Sequence, residues 1–215
     1  MFIDMHSHST VSDDARATPE AYVKWIQVLR KKGFRVDGIV LTEHRTFDIN
    51  SDYTDLSVDS GVKIFKGSEL DTIYGHVLLY GSNKKLMELF DFKKVDLDTE
   101  KLLTVAREEG GIAVPAHPGR FGVGLVAHME NGAKVNSLEV IETYNSSNRS
   151  GEQERAEGLA KQLDLSTIGG SDAHFPSSIG SSLTEFFDPI DSLEELVIAL
   201  IAGRCRAISI EETRQ

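Results

Sequence analysis

Apolar and polar positions alternate along the chain in blocks that predict strands and helices in turn. Apolar runs over residues 2–5 and 36–41 have the length of buried strands. Between them a helix is predicted to begin at Thr18 and Pro19, and its apolar positions recur at helical spacing: Tyr22, Trp25, Ile26 and Leu29. Further strands are predicted over 62–65, 76–80, 112–116, 138–143, 165–169, 184–187 and 205–210. Further helices are predicted over 84–90, 98–109, 152–163 and 193–201.

This alternation of strands and helices predicts a largely parallel sheet, and the regular spacing favours a closed or nearly closed α/β barrel. The length of 215 residues is compatible with one barrel domain, so we expect a single domain over residues 1–215. Two segments show no clear periodicity: 121–135, and the loop 46–59. We expect both of them to shape a pocket.

The composition, 40% hydrophobic and 27% charged, is that of an ordinary soluble protein, and we expect a cytoplasmic location. No apolar run approaches the roughly 18 residues that cross a bilayer, so no membrane partner is expected. The single cysteine, Cys205, cannot form an internal disulfide. A net charge of −11 argues against a large nucleic-acid-binding face, whereas a small anionic substrate remains compatible if bound cations neutralise a carboxylate-lined pocket.

The polar groups at the ends of the predicted strands are the strongest functional signal. His6 and His8 lie two residues apart in a strand, so their imidazoles point to the same side. Six of the seven histidines lie at such strand ends: His6, His8, His44, His76, His117 and His174. Together with Asp13, Glu69 and Asp172 they make nine candidate ligands, enough for three metal ions if one carboxylate bridges.

In order and spacing, these motifs resemble the PHP family, the polymerase and histidinol phosphatase domains. The motifs are Asp4-Met5-His6-Ser7-His8, Ser12-Asp13, Thr42-Glu43-His44, Gly67-Ser68-Glu69, Ala116-His117-Pro118 and Gly170-Ser171-Asp172-Ala173-His174. The resemblance implies a distorted seven-stranded, TIM-like (β/α) barrel. It also implies two or three divalent ions, zinc, manganese or iron, in a trinuclear site that hydrolyses phosphate esters.

The resemblance also implies a distribution of the ligands among three ions. The first ion would be bound by His6, His8, Glu69 and Asp172. Glu69 would bridge to a second ion bound by His76 and His117. A third would be bound by Asp13, His44 and His174, with Asp14 as the alternative to Asp13. Glu69, Asp172 and His174 are the catalytic candidates, the last two as proton carriers.

Residues near these motifs leave several roles open. Arg120 is the leading candidate to bind a substrate phosphate, because a planar guanidinium matches phosphate oxygens, and Arg149 and Arg45 are competitors. Asp4 is expected to orient a ring nitrogen of a ligand. Glu43 and Glu142 are each about equally compatible with orienting a ligand and with a structural role.

The main functional hypothesis is a metal-dependent phosphoesterase that hydrolyses a small phosphomonoester, such as a nucleotide or a sugar or amino-alcohol phosphate, through a metal-bound hydroxide. An exonuclease acting on short oligonucleotides or nucleotide bisphosphates is the alternative within the hydrolases. A non-catalytic metal-binding module is the alternative from another class. The sequence predicts a small phosphorylated substrate as the partner and leaves the oligomeric state open.

Overall fold

The computed structural model describes residues 1–81 and 84–215. Nine strands and seven α-helices form in these residues. The strands are β1 (Phe2–Ser7), β2 (Gly38–His44), β3 (Lys63–Thr72), β4 (Gly75–Tyr80), β5 (Ile112–Pro115), β6 (Val140–Asn145), β7 (Ser166–Gly170), β8 (Ser182–Phe186) and β9 (Cys205–Ser209). The helices are α1 (Pro19–Lys31), α2 (Thr54–Ser60), α3 (Lys84–Leu89), α4 (Thr99–Glu108), α5 (Leu125–Glu130), α6 (Glu152–Leu163) and α7 (Leu193–Ile201).

The strands form a curled, half-barrel sheet in one α/β domain. Seven strands are hydrogen-bonded in the order β5-β4-β3-β2-β1-β8-β9, and β6 and β7 form a separate parallel pair. A single bridge between Ser7 and Ala173 connects the end of β1 to the segment after β7. The expected largely parallel sheet is therefore corrected to a mixed one, because β4, β5, β8 and β9 pair antiparallel with their neighbours.

The central strands are buried on both faces, as their apolar sequences predict. β1 and β2 are buried along almost their whole length. Helix α1 begins where predicted, because the Thr18 side chain accepts a hydrogen bond from the backbone of Ala21 and Pro19 occupies the first turn. Its buried face packs in an apolar cluster with Ile39 and Leu41 of β2. These elements fix the positions from which β1 and β2 present their last residues.

Close packing of β7 against β1 depends on glycine. A Cβ at Gly170 would lie 2.3 Å from the Cβ of His6 and 2.6 Å from its backbone nitrogen. A side chain is therefore excluded there, and its absence brings the segment after β7 against the histidine-bearing end of β1.

Each of the two segments of unclear periodicity forms a short helix: α5 lies within 121–135, and α2 begins within 46–59 and ends at Ser60. No residue of α2 is buried, which explains why its sequence shows no apolar stripe. Among the described residues, no helix combines the length and apolar composition that a bilayer crossing requires.

Candidate metal centre

Four buried side chains from distant parts of the chain converge at the carboxyl end of β1. His6 and His8 extend from β1 and the loop that follows it, Glu69 from β3, and Asp172 from the segment after β7. Their ligand atoms lie within 4.8 Å of one another. The Nε2 atoms of His6 and His8 are 3.1 Å apart, and His8 Nε2 lies 3.3 Å from both Glu69 Oε2 and Asp172 Oδ1. This group has the composition predicted for the first metal ion.

Glu69 also belongs to a second group, with His76 and His117. Its Oε1 atom lies 2.9 Å from His76 Nδ1 and 3.0 Å from His117 Nε2, whereas its Oε2 atom faces His6 and His8. The two oxygens of one carboxylate therefore face two different histidine groups. This is the geometry that a bridging ligand requires.

A third group, His8, His44 and His174, lies at the more exposed edge of the cluster. The two neighbouring acids, Asp13 and Asp14, have different surroundings at this group. Asp14 Oδ2 lies 3.4 Å from both His44 Nε2 and His174 Nε2. Asp13 is 81% exposed and its carboxylate lies 3.9 Å from Arg45 instead. Asp14 therefore faces the histidines, whereas Asp13 faces outwards.

The arrangement of the imidazole nitrogens favours a cation bound between them over direct contact between the rings. His6 and His8 direct Nε2 atoms at each other at 3.1 Å, a separation that requires a shared proton or a positive ion between two lone pairs. The Nδ1 atoms of His8 and His117 are buried and have no hydrogen-bond partner within the described residues. Imidazole nitrogen and carboxylate oxygen together are the donor set that zinc, manganese and iron accept.

The electrostatics also favour bound positive charge. Burial lowers the pKa of His6, but the carboxylates of Glu142, Asp172 and Glu69 more than offset this and raise that pKa well above its usual value. Burial tends to raise the pKa of Glu69, yet the adjacent imidazoles hold it well below its ordinary value. The pKa of Asp172 is lowered in the same way, against its burial, chiefly by His6 and His8. The site thus stabilises ionised carboxylates and attracts cations.

His117 differs from His6, His8 and His76 because burial dominates and lowers its pKa, which favours the neutral ring that binds a metal. Its backbone is also unusual, with φ of 31°, and Asp172 has φ of 53°. Residues other than glycine rarely adopt this left-handed region, and those that do are concentrated at functional sites. Both candidate ligands are therefore held in strained conformations by the surrounding structure.

Glu142 is fully buried beneath the first two groups. Its Oε1 atom lies 3.0 Å from His6 Nδ1, and its Oε2 accepts hydrogen bonds from the backbone N–H of His117 at 2.6 Å and the amide of Asn145 at 3.0 Å. Of the two roles left open, the contacts favour orienting a ligand. Asn145 was not identified from the sequence, because a lone asparagine at a strand end has no distinctive pattern.

Asp4 and Glu43 hold backbone rather than rings. Asp4 accepts hydrogen bonds from the N–H groups of His6, Ser171 and Gly180, so the expectation that it orients a ring nitrogen is wrong. Burial raises the pKa of Asp4 to about 6, although these hydrogen bonds partly offset the effect.

The carboxylate of Glu43 accepts hydrogen bonds from the hydroxyls of Ser9 and Ser12, both at 2.6 Å. Ser12 Oγ in turn accepts one from the backbone N–H of His44. Glu43 thereby holds the loop that contains Asp14, a structural role.

The predicted phosphate-binding arginines lie at different distances from the centre. Arg120 donates from Nη2 to Asp172 Oδ2 at 2.6 Å, so its guanidinium touches a candidate ligand. Arg45 is paired with Asp71 at 3.4 Å. Arg149 is exposed, and its backbone N–H donates to Glu152 at 2.8 Å. Glu152 was not identified from the sequence as a functional residue, because an acid at a helix start is common.

The fold and these contacts define an α/β protein with a histidine- and carboxylate-rich candidate metal centre. A family model described as PHP-associated matches residues 151–205, and this match confirms the predicted resemblance to the PHP family. No curated protein sequence matches the chain.

Solved structures show the same fold at low sequence identity. PsfC from Pseudomonas syringae is 22% identical with a TM-score of 0.68, over 99% of this chain and 92% of that one. A candidate metal-dependent phosphoesterase from Bifidobacterium adolescentis is 18% identical with a TM-score of 0.59, over 94% and 96%. The lesion-specific endonuclease PfuEndoQ from Pyrococcus furiosus is 17% identical with a TM-score of 0.62, over 96% of this chain and 58% of that one.

Proposed function

We propose that this chain is a metal-dependent phosphoesterase that hydrolyses a small phosphomonoester. The observation that supports this best is the overlap of the three ligand groups, in which Glu69 and His8 each belong to two. Ligands shared in this way place ions close enough to act on one phosphate group. We also propose that the seven-stranded half-barrel and the β6–β7 pair together enclose the core as one distorted (β/α) barrel.

The residues present would hold two or three ions of zinc, manganese or iron. His6, His8, Glu69 and Asp172 would hold the first, Glu69 with His76 and His117 the second, and Asp14 with His8, His44 and His174 the third. When bound, such ions would supply Lewis-acid activation of the phosphoester and of water.

Side chains at the mouth of the site would bind the phosphate and transfer the proton. Arg120 would bind the phosphate, exchanging its contact with Asp172 for substrate oxygens, since a guanidinium can hold two oxygens at once. His174 is 24% exposed and its Nδ1 atom lies 3.0 Å from the backbone oxygen of Asp172. This contact holds the ring through Nδ1 and leaves Nε2 at the solvent-exposed edge, where it would bind the third ion or, with only two ions bound, transfer a proton to the leaving oxygen.

The test is Glu69→Gln in protein loaded with zinc or manganese. Because this change removes the charge of the bridging oxygen pair, we expect bound metal, measured by elemental analysis, and hydrolysis of p-nitrophenyl phosphate to fall together. Glu194→Gln, an exposed acid in the first turn of α7, is the control and should change neither. Turnover that survives Glu69→Gln with undiminished metal would contradict the proposal.

The second candidate is a nuclease, which the structural similarity to the endonuclease PfuEndoQ favours. The net charge of −11 counts against long nucleic acid but is compatible with short oligonucleotides. A screen of p-nitrophenyl phosphate, bis(p-nitrophenyl) phosphate and short oligonucleotides separates the two activities. Metal-loaded protein that hydrolyses none of them, and that unfolds on chelation, would instead be a non-catalytic metal-binding module.

A further inference from the structure

One buried carboxylate outside the metal centre joins the two loops that contain Arg120 and Arg149. Glu152 is the first residue of α6 and is only 4% exposed. Its Oε1 atom accepts a hydrogen bond from the backbone N–H of Phe121 at 3.1 Å, and its Oε2 atom accepts one from the backbone N–H of Arg149 at 2.8 Å. The two oxygens thus hold one loop each.

The loop that contains Arg120 also packs directly on the first turn of α6. A Cβ at Gly119 would lie 1.8 Å from the backbone oxygen of Glu152, so the two backbones are in direct contact. The Arg155 guanidinium donates to the Gly119 carbonyl at 2.6 Å and lies 4.8 Å from the centre of the Phe121 ring. These contacts hold the backbone on both sides of Arg120, whose side chain reaches Asp172.

The buried carboxylate is ionised. Burial raises the pKa of Glu152, but the two backbone hydrogen bonds and the nearby charges of Arg120 and Arg149 outweigh it and lower that pKa below its usual value. Both guanidiniums are therefore close enough to stabilise this negative charge.

From this geometry we propose that Glu152 is a positioning residue for phosphate recognition: it holds the loops of Arg120 and Arg149 at a fixed separation, so that both guanidiniums contact one bound phosphate. This inference rests on the proposed function and deepens it, because it adds Arg149 and the first turn of α6 to the substrate site. Glu152 itself touches neither substrate nor metal.

The distinguishing variant is Glu152→Gln. Glutamine has the same length, but its amide nitrogen is a donor and would face one of the two backbone N–H groups, so only one loop stays tied. Glu154→Gln is the matched control, because Glu154 is an exposed acid in the same first turn and its removal weakens the interaction with the helix dipole equally.

With metal-loaded protein and p-nitrophenyl phosphate as the probe, we expect Glu152→Gln to raise KM and the inhibition constant of inorganic phosphate about tenfold, the loss of one hydrogen bond to a charged group. The value of kcat should change much less, and the metal content should not change. Glu154→Gln should leave all four quantities unchanged. Equal effects in the two variants, or unchanged KM and phosphate inhibition in Glu152→Gln, would overturn the proposal.

A second measurement separates positioning from general stability. In an Arg120→Ala, Arg149→Ala background, Glu152→Gln should have no further effect on phosphate affinity, because no guanidinium remains to be positioned. Glu152→Asp, which keeps the charge and shortens the side chain, should restore part of the affinity lost in Glu152→Gln. A further loss of affinity in the double-alanine background would assign Glu152 a purely structural role.

Calorimetric titration of the metal-loaded protein with inorganic phosphate separates failure of the inference from failure of the proposed function. If the wild type binds phosphate and hydrolyses no phosphoester, the proposed function fails, while weaker binding by Glu152→Gln still supports the inference. If the wild type hydrolyses p-nitrophenyl phosphate and Glu152→Gln binds phosphate normally, the inference alone fails.

Discussion

Glu142 contacts the imidazole ring of His6 and the backbone N–H of His117. These two residues are candidate ligands in different groups, so Glu142 affects both groups. The ring of His6 can present Nε2 to an ion only if Nδ1 is satisfied on the opposite side, and Glu142 lies there at 3.0 Å. Its second oxygen fixes the backbone of His117 at 2.6 Å, where φ is 31°. A carboxylate in this position orients the imidazole and increases its basicity.

Glu142→Gln is therefore expected to weaken metal binding about 10–100-fold, the usual cost of losing a partner of a metal-binding histidine. Competition between the protein and a chromogenic chelator measures this affinity. The control is Glu139→Gln, which removes only a partly exposed pair with Arg107. Metal affinity that is equal in the two variants would show that Glu142 does not act through His6.

The adjacent acids Asp13 and Asp14 allow the metal-binding role of two neighbouring carboxylates to be compared. Asp14→Asn should weaken binding of the most weakly held ion about tenfold, because one charged contact to the His44 and His174 group is lost. Asp13→Asn should leave it unchanged, since that carboxylate faces Arg45. Elemental analysis after dialysis against limiting metal distinguishes the two outcomes; a loss in Asp13→Asn alone would reverse the assignment.

Individual residues also show where sequence reasoning reaches its limit. His6, His8 and Glu69 were predictable, because strand ends on one edge of a sheet converge whatever the loops do. The choice between Asp13 and Asp14 was not, because it depends on a loop whose course is set by Glu43 and two serines. Neighbouring side chains point in different directions, and only tertiary contacts decide which one faces inwards.

Among the elements, the packing of β7 against β1 requires that residue 170 has no side chain. Gly170→Ala would place a Cβ against the backbone of His6, which cannot move without displacing a candidate ligand. We expect a loss of stability of about 1–3 kcal/mol, as for other overpacked interiors, together with weaker metal binding. The control, Gly158→Ala in α6, has open space around its Cβ and should stabilise the helix by about 0.5–1 kcal/mol. Denaturant unfolding of the metal-free proteins measures both changes.

If Gly170→Ala were as stable as the wild type, the close approach of β7 to β1 would not be required for the fold. A variant that is destabilised but binds metal normally would show that the backbone at His6 relaxes without moving the imidazole. Either outcome would remove the proposed dependence of the metal centre on this glycine.

The helix α6 was predicted with the bounds that the structure has, 152–163, because its apolar positions recur at helical spacing. The antiparallel direction of β4 was not predicted, because the predicted strands 62–65 and 76–80 are ten residues apart, whereas β3 extends to Thr72 in the structure. Only two residues, Ile73 and Tyr74, separate β3 from β4, and a connection so short permits only an antiparallel pair. The alternation of strands and helices elsewhere predicted a largely parallel sheet, and the length of β3 needed to reveal this constraint was not predicted.

At the scale of the whole molecule, three of the 34 acidic residues are buried close together in the candidate metal centre. Glu69 and Glu142 are almost fully buried, and Asp172 is 8% exposed. Bringing these charges together costs free energy that imidazolium ions or metal ions must offset. Any ion that binds only the folded chain therefore stabilises it, by about 4 kcal/mol at a free concentration 1,000 times its Kd.

This coupling predicts opposite pH dependences for the metal-free and metal-loaded proteins. In the metal-free chain the pKa values of His6, His8 and His76 are raised by their carboxylate partners, against the effect of burial. Their contribution to stability is thus fully present below the unfolded-state pKa of about 6.5 and is lost as pH rises through the folded-state values. Metal binding needs neutral imidazoles, so metal affinity rises over the same interval.

The difference in Tm between metal-loaded and chelator-treated protein should therefore widen from pH 6 to pH 8. The Tm of the chelator-treated protein falls over this interval, whereas that of the metal-loaded protein is sustained by tighter metal binding. His76→Gln should reduce this widening, since it removes one of the titrating ligands. His128→Gln should not, because His128, which lies on α5, contacts Tyr74 and belongs to none of the ligand groups of the described chain. Parallel curves for the two forms of the wild type would mean that the histidines at the strand ends do not exchange protons for metal.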